Sequence, residues 1–465
     1  MNSIKAVKEK LLKKEISAKE LTKSYLDRIN KYNKDLNIYL TISEKEALEA
    51  AERADKLLSE GQDLPLLGLP IALKDLYSTK GIQTTASSKV LEGYIPPFDA
   101  TAVEKLKNAG AIILGKLNCD AWAHGSSGEN SDYGPARNPW NKEYTPGGSS
   151  SGSAAAVTAD LAVATTGTDT GGSIRLPASF TNTVGLKPTY GRVSRYGIIA
   201  MASSLDSIGH FTKTVEDSAI MLNVTAGKDN KDATTPDVPV PDYTKKINEN
   251  IKGLKIGVPK EYFIEGLDLE IRKAVEDAIN FYKSQGVEIV DISLPHTEYA
   301  IETYYIIQPA EVSSNLARYD GIRFGNPRKD FGDEAKRRIM LGTFTLSVGY
   351  YDAYYKKAMK VRTLIKQDFD KAFEKVDAII APVSPNMPWK LGERIDDPLK
   401  MYLADVFAAA VNLSGIPGLS VPCGFSNGLP IGMQILGPQF SEELLFRLGH
   451  HYEINHDFYK KEPEL

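Results

Sequence analysis

The first sixty residues show apolar positions at helical spacing. They predict an amphipathic helix in about the first fifteen residues, a second helix from Ser17 through Ile29 and a third over 43–60. Ser17 and Glu20 stand at the spacing of a capping box, which sets where the second helix begins.

Beyond residue 60, short apolar runs alternate with helical patterns. The predicted strands lie at 66–73, 111–114, 161–166, 254–258, 378–381, 419–422 and 431–436, and the predicted helices at 101–109, 154–159, 268–286, 300–319 and 345–376. A stretch rich in Asp, Pro and Thr at 229–244 is predicted to be a linker or surface excursion. Strand signals return after the long helices. We therefore predict one α/β domain over 1–465, with a mixed central β-sheet flanked by helices and a helical excursion at about 265–376.

A lone lysine, Lys74, ends the apolar run at 66–73. A serine hydroxyl is a poor nucleophile at neutral pH unless a nearby base takes its proton. Lysine can be that base only as the free amine, so burial must lower its pKa from about 10.4. On this segment alone, a strand-end lysine that reaches solvent or pairs with Asp75 is the simpler interpretation.

Two glycines directly precede a serine in the segment GTDTGGS. Gly171 and Gly172 let the chain turn so that successive backbone N–H groups point into one concavity, which can hold the oxyanion of a tetrahedral intermediate. This predicts Ser173 as a nucleophile, with an oxyanion hole formed by the amides of Thr170, Gly171, Gly172 and Ser173. Taken alone, the same residues would form an ordinary tight turn.

The segment GGSSSGSAAAV, which contains Ser149, and the segment GTDTGGSIRLP, which contains Ser173, resemble the signature of the amidase signature family in sequence and in spacing. The resemblance implies the amidase-signature α/β fold, with its signature core at about 66–215. It implies that Ser173 is the acyl-enzyme nucleophile, that Ser149 is the bridging serine and that Lys74 is the base that receives the proton through Ser149. It also implies a cis peptide between Gly148 and Ser149.

The resemblance extends beyond the signature and covers nearly the whole chain. The segments GLKPTYGRVSRYGIIAMASSLDSIG, YYDAYYKKAMKVRTLIKQDF and VNLSGIPGLSVPCG resemble the A subunits of the aspartyl/glutamyl-tRNA amidotransferases. The resemblance implies that the chain hydrolyses glutamine, needs no cofactor of its own and passes ammonia to a partner. That partner is a tRNA-binding B subunit, which uses ATP and magnesium to amidate mischarged Glu-tRNA(Gln) or Asp-tRNA(Asn). A small C subunit completes the complex.

The same resemblance implies a glutamine pocket. Arg338 of KRRIMLG would bind the substrate α-carboxylate, and Asp405 of YLADVF would bind the α-ammonium. Near the expected site, the segment NCDAWAHGSSGENS replaces the more common NMDEFAMGSSTENS. Trp122 and His124 therefore have identities that are unusual for the family.

Composition narrows the picture further. The 465 residues carry a net charge of −4 with a pI near 6.0, which argues against broad nucleic-acid binding, so we expect a partner to hold the tRNA. Cys119 and Cys423 are the two cysteines and form no CxxC motif, so no metal site or disulfide framework is expected. Without a signal peptide or an apolar run of about 18 residues, we expect a cytoplasmic protein with no membrane span.

Other interpretations remain at this stage. Residues 148–152 fit G-x-S-x-G, which would make Ser150 the nucleophile of an α/β-hydrolase, but the preceding segment is not strand-like. A phosphate-binding P-loop would need a Gly-Lys-Ser/Thr sequence, which does not follow. A stand-alone amidase acting on small or aryl amides would use the same serines and lysine, without Arg338 and Asp405. A non-catalytic scaffold would have no need to keep Lys74, Ser149 and Ser173 intact.

Overall fold

The structure is a computed structural model that describes residues 3–322 and 325–465. The strands in these residues form one sheet. Their bounds are β1 Tyr39–Ile42, β2 Pro70–Lys74, β3 Ile112–Leu117, β4 Ala164–Asp169, β5 Val184–Lys187, β6 Ser207–Thr212, β7 Lys255–Pro259, β8 Glu288–Ile292, β9 Ala378–Pro382, β10 Gly418–Ser426 and β11 Leu429–Leu436. Within the described residues these eleven strands lie in the order β1-β3-β2-β4-β6-β5-β10-β11-β9-β7-β8.

Strand directions in this sheet are mixed, as predicted. β2 lies between β3 and β4 and runs parallel to both, and β7 is parallel to β8 and β9. The other pairings are antiparallel. Every residue of β2 and β4 is buried, which is typical of strands covered on both faces.

The α-helices flank this sheet. Their bounds are α1 Ile4–Leu12, α2 Ala18–Leu36, α3 Glu44–Ser59, α4 Thr101–Asn108, α5 Ser151–Thr158, α6 Arg175–Thr181, α7 Val215–Thr225, α8 Leu269–Ser284, α9 Ala300–Asn315, α10 Asp333–Thr345, α11 Lys356–Phe373, α12 Pro398–Leu403, α13 Ala409–Ser414 and α14 Glu442–Glu453. Several of them pack directly on strands; for example, α6 contacts β5, β10 and β11. Among the described residues, none of the helices is both long enough and apolar enough to cross a membrane.

The capping box predicted for α2 is present. The Ser17 hydroxyl accepts from Glu20 N at 3.1 Å, and Ser17 N donates to the Glu20 carboxylate at 3.0 Å. The helix continues past the predicted end at Ile29, because Leu36 is still buried, and it stops at Asn37, whose φ of 50° is left-handed. A local signal therefore set the start of this helix, whereas packing decides its length.

Two further predicted boundaries were wrong, and the strands predicted at 111–114 and 161–166 each extend three residues further, as β3 and β4. The helical pattern at 345–376 is interrupted: α10 ends at Thr345, and a π-helical turn at Tyr351–Tyr355 leads into α11. The strand predicted at 66–73 begins only at Pro70. The segment 229–244 contains no helix or strand, in agreement with its predicted irregular structure.

Candidate active site

The site lies where two neighbouring parallel strands end. Lys74 is the last residue of β2 and Asp169 the last of β4, so both lie at the same edge of the sheet. In α/β sheets, side chains at the carboxyl ends of parallel strands commonly form ligand sites. The start of α5 brings Ser149 and Ser150 to this edge, where both side chains are fully buried.

Lys74 is fully buried, so it does not reach solvent. Its Nζ lies 2.8 Å from Ser149 Oγ, 2.9 Å from Ser150 Oγ and 2.9 Å from Thr168 Oγ1. Burial lowers the pKa of this amine to about 8, against an opposing effect of nearby acidic groups. The alternative pairing with Asp75 was wrong, because Asp75 lies 3.7 Å from the buried Lys116 instead.

The peptide between Gly148 and Ser149 is cis, as the resemblance implied. The segment 118–130 holds this peptide on both sides: Gly148 N donates to Ser126 O at 2.9 Å, and Asp120 N donates to Ser149 O at 3.1 Å. Gly148 packs so closely that an added Cβ would lie 2.2 Å from Asp120 Oδ2. Ser149 is therefore positioned by its neighbours in space as well as by its own loop.

Asp120 is a structural member of the site that sequence reasoning missed. Its two carboxylate oxygens accept from Gly128 N at 2.9 Å and from Asn130 N at 3.0 Å. Burial raises the pKa of this carboxyl to about 7, although these hydrogen bonds oppose the shift. Nothing local in the sequence marks Asp120, because its partners lie eight and ten residues further along.

The Asp169 carboxylate holds the turn that follows β4. It accepts from Gly172 N at 2.9 Å and from Ile174 N at 3.1 Å, and Arg175 Nη2 lies 3.1 Å away. Burial alone would raise the pKa of Asp169, but the Arg175 guanidinium, together with Lys187 and Asn412, lowers it to about 2. A fixed ionised carboxylate therefore shapes the predicted oxyanion turn.

Within this turn, the predicted oxyanion donors differ in their hydrogen bonding. The Gly172 amide donates to Asp169, whereas the amides of Thr170, Gly171 and Ser173 have no acceptor among the described residues. Three of the four predicted donors are thus available to a ligand. Gly171 also packs against a tyrosine that sequence reasoning missed, since an added Cβ would lie 2.8 Å from Tyr304 Cζ.

Ser173 lies beside the buried serines, because Ser150 N donates to Ser173 O at 3.3 Å. Its side chain is nearly buried, and its hydroxyl makes no hydrogen bond to any described residue, including Ser149. The structure therefore brings Lys74 and Ser149 into direct contact and places the Ser173 backbone beside Ser150, whereas the Ser173 hydroxyl has no partner among the described residues. Catalytic contacts commonly tighten only when substrate is bound.

The Arg338 guanidinium is buried between α9 and α10. Its Nε donates to Glu334 Oε1 at 2.7 Å and its Nη1 to Gln308 Oε1 at 2.9 Å. It also lies over the rings of Tyr305 and Tyr402, at 5.1 Å and 5.6 Å from their centroids. These contacts hold a cation in a defined orientation inside the protein.

Asp405 lies next to the predicted oxyanion turn. A Cβ added to Gly172 would lie 3.3 Å from Asp405 Oδ1, and Asp405 Oδ2 accepts from Ser126 Oγ at 2.6 Å. Burial raises the pKa of Asp405 to about 7, although the Ser126 hydrogen bond and Arg338 oppose this shift. Asp405 and Arg338 thus share one charged region, and no ion pair joins them within the described residues.

The α/β-hydrolase interpretation is not supported. No strand leads into Ser150 within residues 118–150, so the strand-to-helix elbow of an α/β-hydrolase is not present there. Among the described residues, no cluster of three or more His, Cys, Asp or Glu side chains is arranged to hold a metal ion.

A family model described as amidase matches residues 20–446. The chain belongs to the amidase family. Within this family, the A subunit of glutamyl-tRNA(Gln) amidotransferase from Desulfatibacillum aliphaticivorans is 54% identical and covers 100% of this chain and 99% of its own. The protein of the same name from Geobacter metallireducens is 56% identical over 97% of this chain and 96% of its own. These full-length similarities place this amidase in the group of glutamyl-tRNA(Gln) amidotransferase A subunits.

Among solved structures of the amidase family, the crystal structure of the glutamyl-tRNA(Gln) amidotransferase A subunit from Thermotoga maritima is similar throughout. It is 41% identical, covers 98% of this chain and 97% of its own, and superposes with a TM-score of 0.84. The predicted amidase-signature fold is therefore confirmed, as is the predicted family resemblance.

Proposed function

We propose that this chain is the glutamine-hydrolysing subunit of a tRNA-dependent amidotransferase. The observation that supports this most directly is the buried Lys74 amine, 2.8 Å from Ser149 Oγ beside the turn that carries Ser173. Because the pKa of Lys74 is lowered to about 8, a usable fraction of the amine is neutral near pH 7 and can accept a proton.

In the proposed reaction, the Ser173 hydroxyl attacks the side-chain amide carbon of glutamine and passes its proton through Ser149 to Lys74. The free amides of Thr170, Gly171 and Ser173 donate to the developing oxyanion. When the C–N bond breaks, the proton returns through the same relay to the leaving nitrogen, and ammonia departs. Water then attacks the glutamyl ester on Ser173, which releases glutamate and restores the serine.

Arg338 and Asp405 are the proposed contacts to the two charged groups of glutamine. A carboxylate would lie at the Arg338 guanidinium and the ammonium at Asp405, close to the turn that holds the reacting amide. Binding of the ammonium would keep Asp405 ionised, because a nearby positive charge lowers the pKa of a carboxyl. Arg338 is already paired with Glu334 at 2.7 Å, whereas Asp405 has no ion pair among the described residues, so a bound ammonium would supply its counter-ion.

The ammonia would be used by partner subunits. We infer a tRNA-binding B subunit, which consumes ATP and magnesium, and a small C subunit, both acting in the cytoplasm, where mischarged Glu-tRNA(Gln) or Asp-tRNA(Asn) is made. The names of the similar proteins, which are subunits of an amidotransferase, support this inference. The net charge of −4 favours a partner as the main tRNA-binding chain.

Ammonia release tests the proposal against a stand-alone amidase. The purified chain, alone and with candidate B and C subunits, is incubated with glutamine and with a simple aryl amide. Glutamine hydrolysis that rises with partners, ATP and mischarged tRNA is the expected result. Partner-independent turnover of the aryl amide, with glutamine ignored, would identify a stand-alone amidase and remove the roles of Arg338 and Asp405.

A further inference from the structure

Two buried polar side chains near Arg338 have hydrogen-bonding groups that no described residue satisfies. His124 is fully buried, and neither of its ring nitrogens has a partner among the described residues. Gln308 on α9 is also fully buried; its Oε1 accepts from Arg338 Nη1, while its Nε2 has no partner among them. Unpaired buried donors are costly and rare in folded proteins, so both groups need an explanation.

The backbone around His124 is held firmly, so the ring does not lack partners because its loop is loose. His124 N donates to Ala121 O at 3.0 Å, and His124 O accepts from Asn130 Nδ2 at 2.8 Å. Trp122, two residues before His124, packs its ring against two aromatic side chains, with centroid distances of 4.7 and 5.2 Å. The backbone of His124 is thus held by contacts on both sides.

This loop borders the proposed glutamine pocket. Gly125, which follows His124, lines a cavity of about 410 Å³ together with Arg338. One residue further, Ser126 donates to Asp405 at 2.6 Å. The unpartnered imidazole therefore belongs to the segment that runs between the two proposed substrate-binding charges.

The His124 ring is neutral. Its burial and the nearby Arg338 charge both lower the pKa of this imidazole well below its usual value. A neutral imidazole has one N–H donor and one acceptor nitrogen. Next to a buried arginine it can donate to an anion that the arginine attracts, without adding a second buried positive charge.

The bonds that Arg338 already makes leave it incomplete as a carboxylate site. Its Nε–H, which would complete a side-on bidentate pair, donates to Glu334, and one Nη1–H donates to Gln308. Nη2 has no acceptor among the described residues. A carboxylate at this guanidinium would therefore have oxygen lone pairs left for further donors, which His124 and Gln308 can supply.

We propose that His124 and Gln308 Nε2 donate hydrogen bonds to the α-carboxylate of glutamine at Arg338, so that this pocket selects amides with a free carboxylate. The inference rests on the proposed function and extends it by two specificity-determining residues. Neutral donors would stabilise the carboxylate of the bound substrate equally before and during the reaction. They would therefore act on KM rather than on kcat.

The test compares glutamine with 4-aminobutanamide, which is glutamine without its α-carboxylate. In the full-length chain, His124→Met removes the donor and replaces the imidazole with an apolar side chain of similar size. The KM for glutamine is expected to rise about ten-fold or more, with kcat changed less than about three-fold. The kcat/KM for 4-aminobutanamide, or its inhibition constant if turnover is slow, is expected to stay within about two-fold.

Two further variants separate hydrogen bonding from packing. His124→Gln restores an N–H donor and should recover most of the glutamine KM, whereas Gln308→Met should raise that KM independently. An equal loss for both substrates in both Met variants would mean that the residues only support the fold, and would overturn the inference. Glutamine turnover with unchanged KM in both Met variants would also overturn it and leave the proposed function intact. A wild-type chain that ignores glutamine would refute the proposed function and the inference together.

Discussion

Lys74 differs from the other buried lysines of this chain in what its amine touches. Burial lowers the pKa of Lys116 to about 8 and that of Lys187 to about 7, so burial alone does not single out Lys74. Lys116 Nζ donates to the Tyr77 carbonyl and the Thr84 hydroxyl and lies 3.7 Å from the Asp75 carboxylate. Lys187 Nζ donates to the carbonyls of Pro188 and Ile416 and to the Ser207 hydroxyl, so each of these amines has partners that only accept. All three hydrogen-bond partners of the Lys74 amine are hydroxyls, which can donate as well as accept, so its neutral form is also satisfied.

Removing the proposed base or the proposed nucleophile should block the attack of Ser173 on the amide. Lys74→Ala is expected to lower kcat for glutamine by about a thousand-fold or more, because Ser173 then loses its proton acceptor. Ser173→Ala should give no acyl-enzyme at all. Ammonia release and the mass of the quenched protein measure both effects. Near-normal glutaminase activity in either variant would contradict the assignment.

Ser149 and Ser150 form a matched pair, since their hydroxyls lie 2.8 and 2.9 Å from Lys74 Nζ. Only Ser149 is proposed to relay the proton, whereas Ser150 Oγ also donates to Thr168 O at 3.2 Å. Ser149→Ala should therefore lower kcat at least about ten-fold more than Ser150→Ala does. Steady-state ammonia release on both purified variants provides the comparison, and a larger loss in Ser150→Ala would move the relay to Ser150.

The pH dependence of kcat/KM should report two groups of the free enzyme. Lys74 must be neutral, so activity rises as pH increases through its pKa of about 8. Asp405 must be ionised to bind the ammonium, so glutamine binding weakens as pH falls below its pKa of about 7. Below pH 7 the two effects add, giving a slope steeper than one. Asp405→Asn should lower kcat/KM and reduce that slope to one; an unchanged slope would exclude Asp405.

At the scale of elements, the site depends on two segments fitting closely at one sheet edge. The segment 118–130 follows β3 and packs against the start of α5, and Gly148 leaves no room between them. A Cβ there would also lie 2.7 Å from Gly128 N, so the backbone itself is in the way. The position of Ser149 thus depends on contacts far from it in sequence.

Gly148→Ala is expected to lower glutaminase activity by about a hundred-fold or more, because the loop must move to admit the methyl group. Gly332→Ala is the matched control. Gly332 also lacks a positive φ, and an added Cβ meets only the Asp132 side chain, at 3.2 Å. Activity assays with thermal melts distinguish the two variants. Full activity in Gly148→Ala would show that the close fit is not required.

Local patterns predicted those elements that carry a complete signal in one stretch of sequence. The capping residue Ser17 predicted the start of α2, and the signature serines predicted which loops meet Lys74. β5 and β6 were not predicted, because VGLK and SIGHFT are short and interrupted by glycine and polar residues, and pairing with neighbouring strands defines them. Asp120, Tyr304 and Gln308 were missed for a related reason: their partners come from other elements.

Across the whole molecule, Arg175 connects elements that are distant in sequence. From the start of α6, its guanidinium donates to Asp169 on β4, to Gln434 on β11 at 2.8 Å and to Asn412 on α13 at 2.7 Å. All of these side chains are buried. One guanidinium therefore links the strand that carries the active-site turn to the C-terminal part of the sheet.

Arg175→Met should lower the free energy of unfolding by about 3–5 kcal/mol, because Asp169 remains buried without its counter-ion. The control Lys273→Met removes an exposed ion pair with Asp277 and should change the free energy of unfolding by less than about 1 kcal/mol. Urea denaturation at pH 7.5 measures the free energy of unfolding of both variants. A loss as small as that of the control would show that the Arg175 network contributes little.

Comparing the wild type with Arg175→Met at lower pH tests whether the loss of stability is electrostatic. In the wild type, the pKa of Asp169 is about 2, below its ordinary value of about 3.9. Its contribution to stability is therefore complete above pH 3.9 and is lost only as pH falls toward 2. Without Arg175, burial is opposed by fewer groups, so we expect the pKa of Asp169 to rise above its ordinary value and protonation to relieve the variant as pH falls through that pKa. The stability difference between the two proteins should thus narrow from pH 7.5 to pH 4.5, whereas a difference that arises from lost packing alone would stay constant.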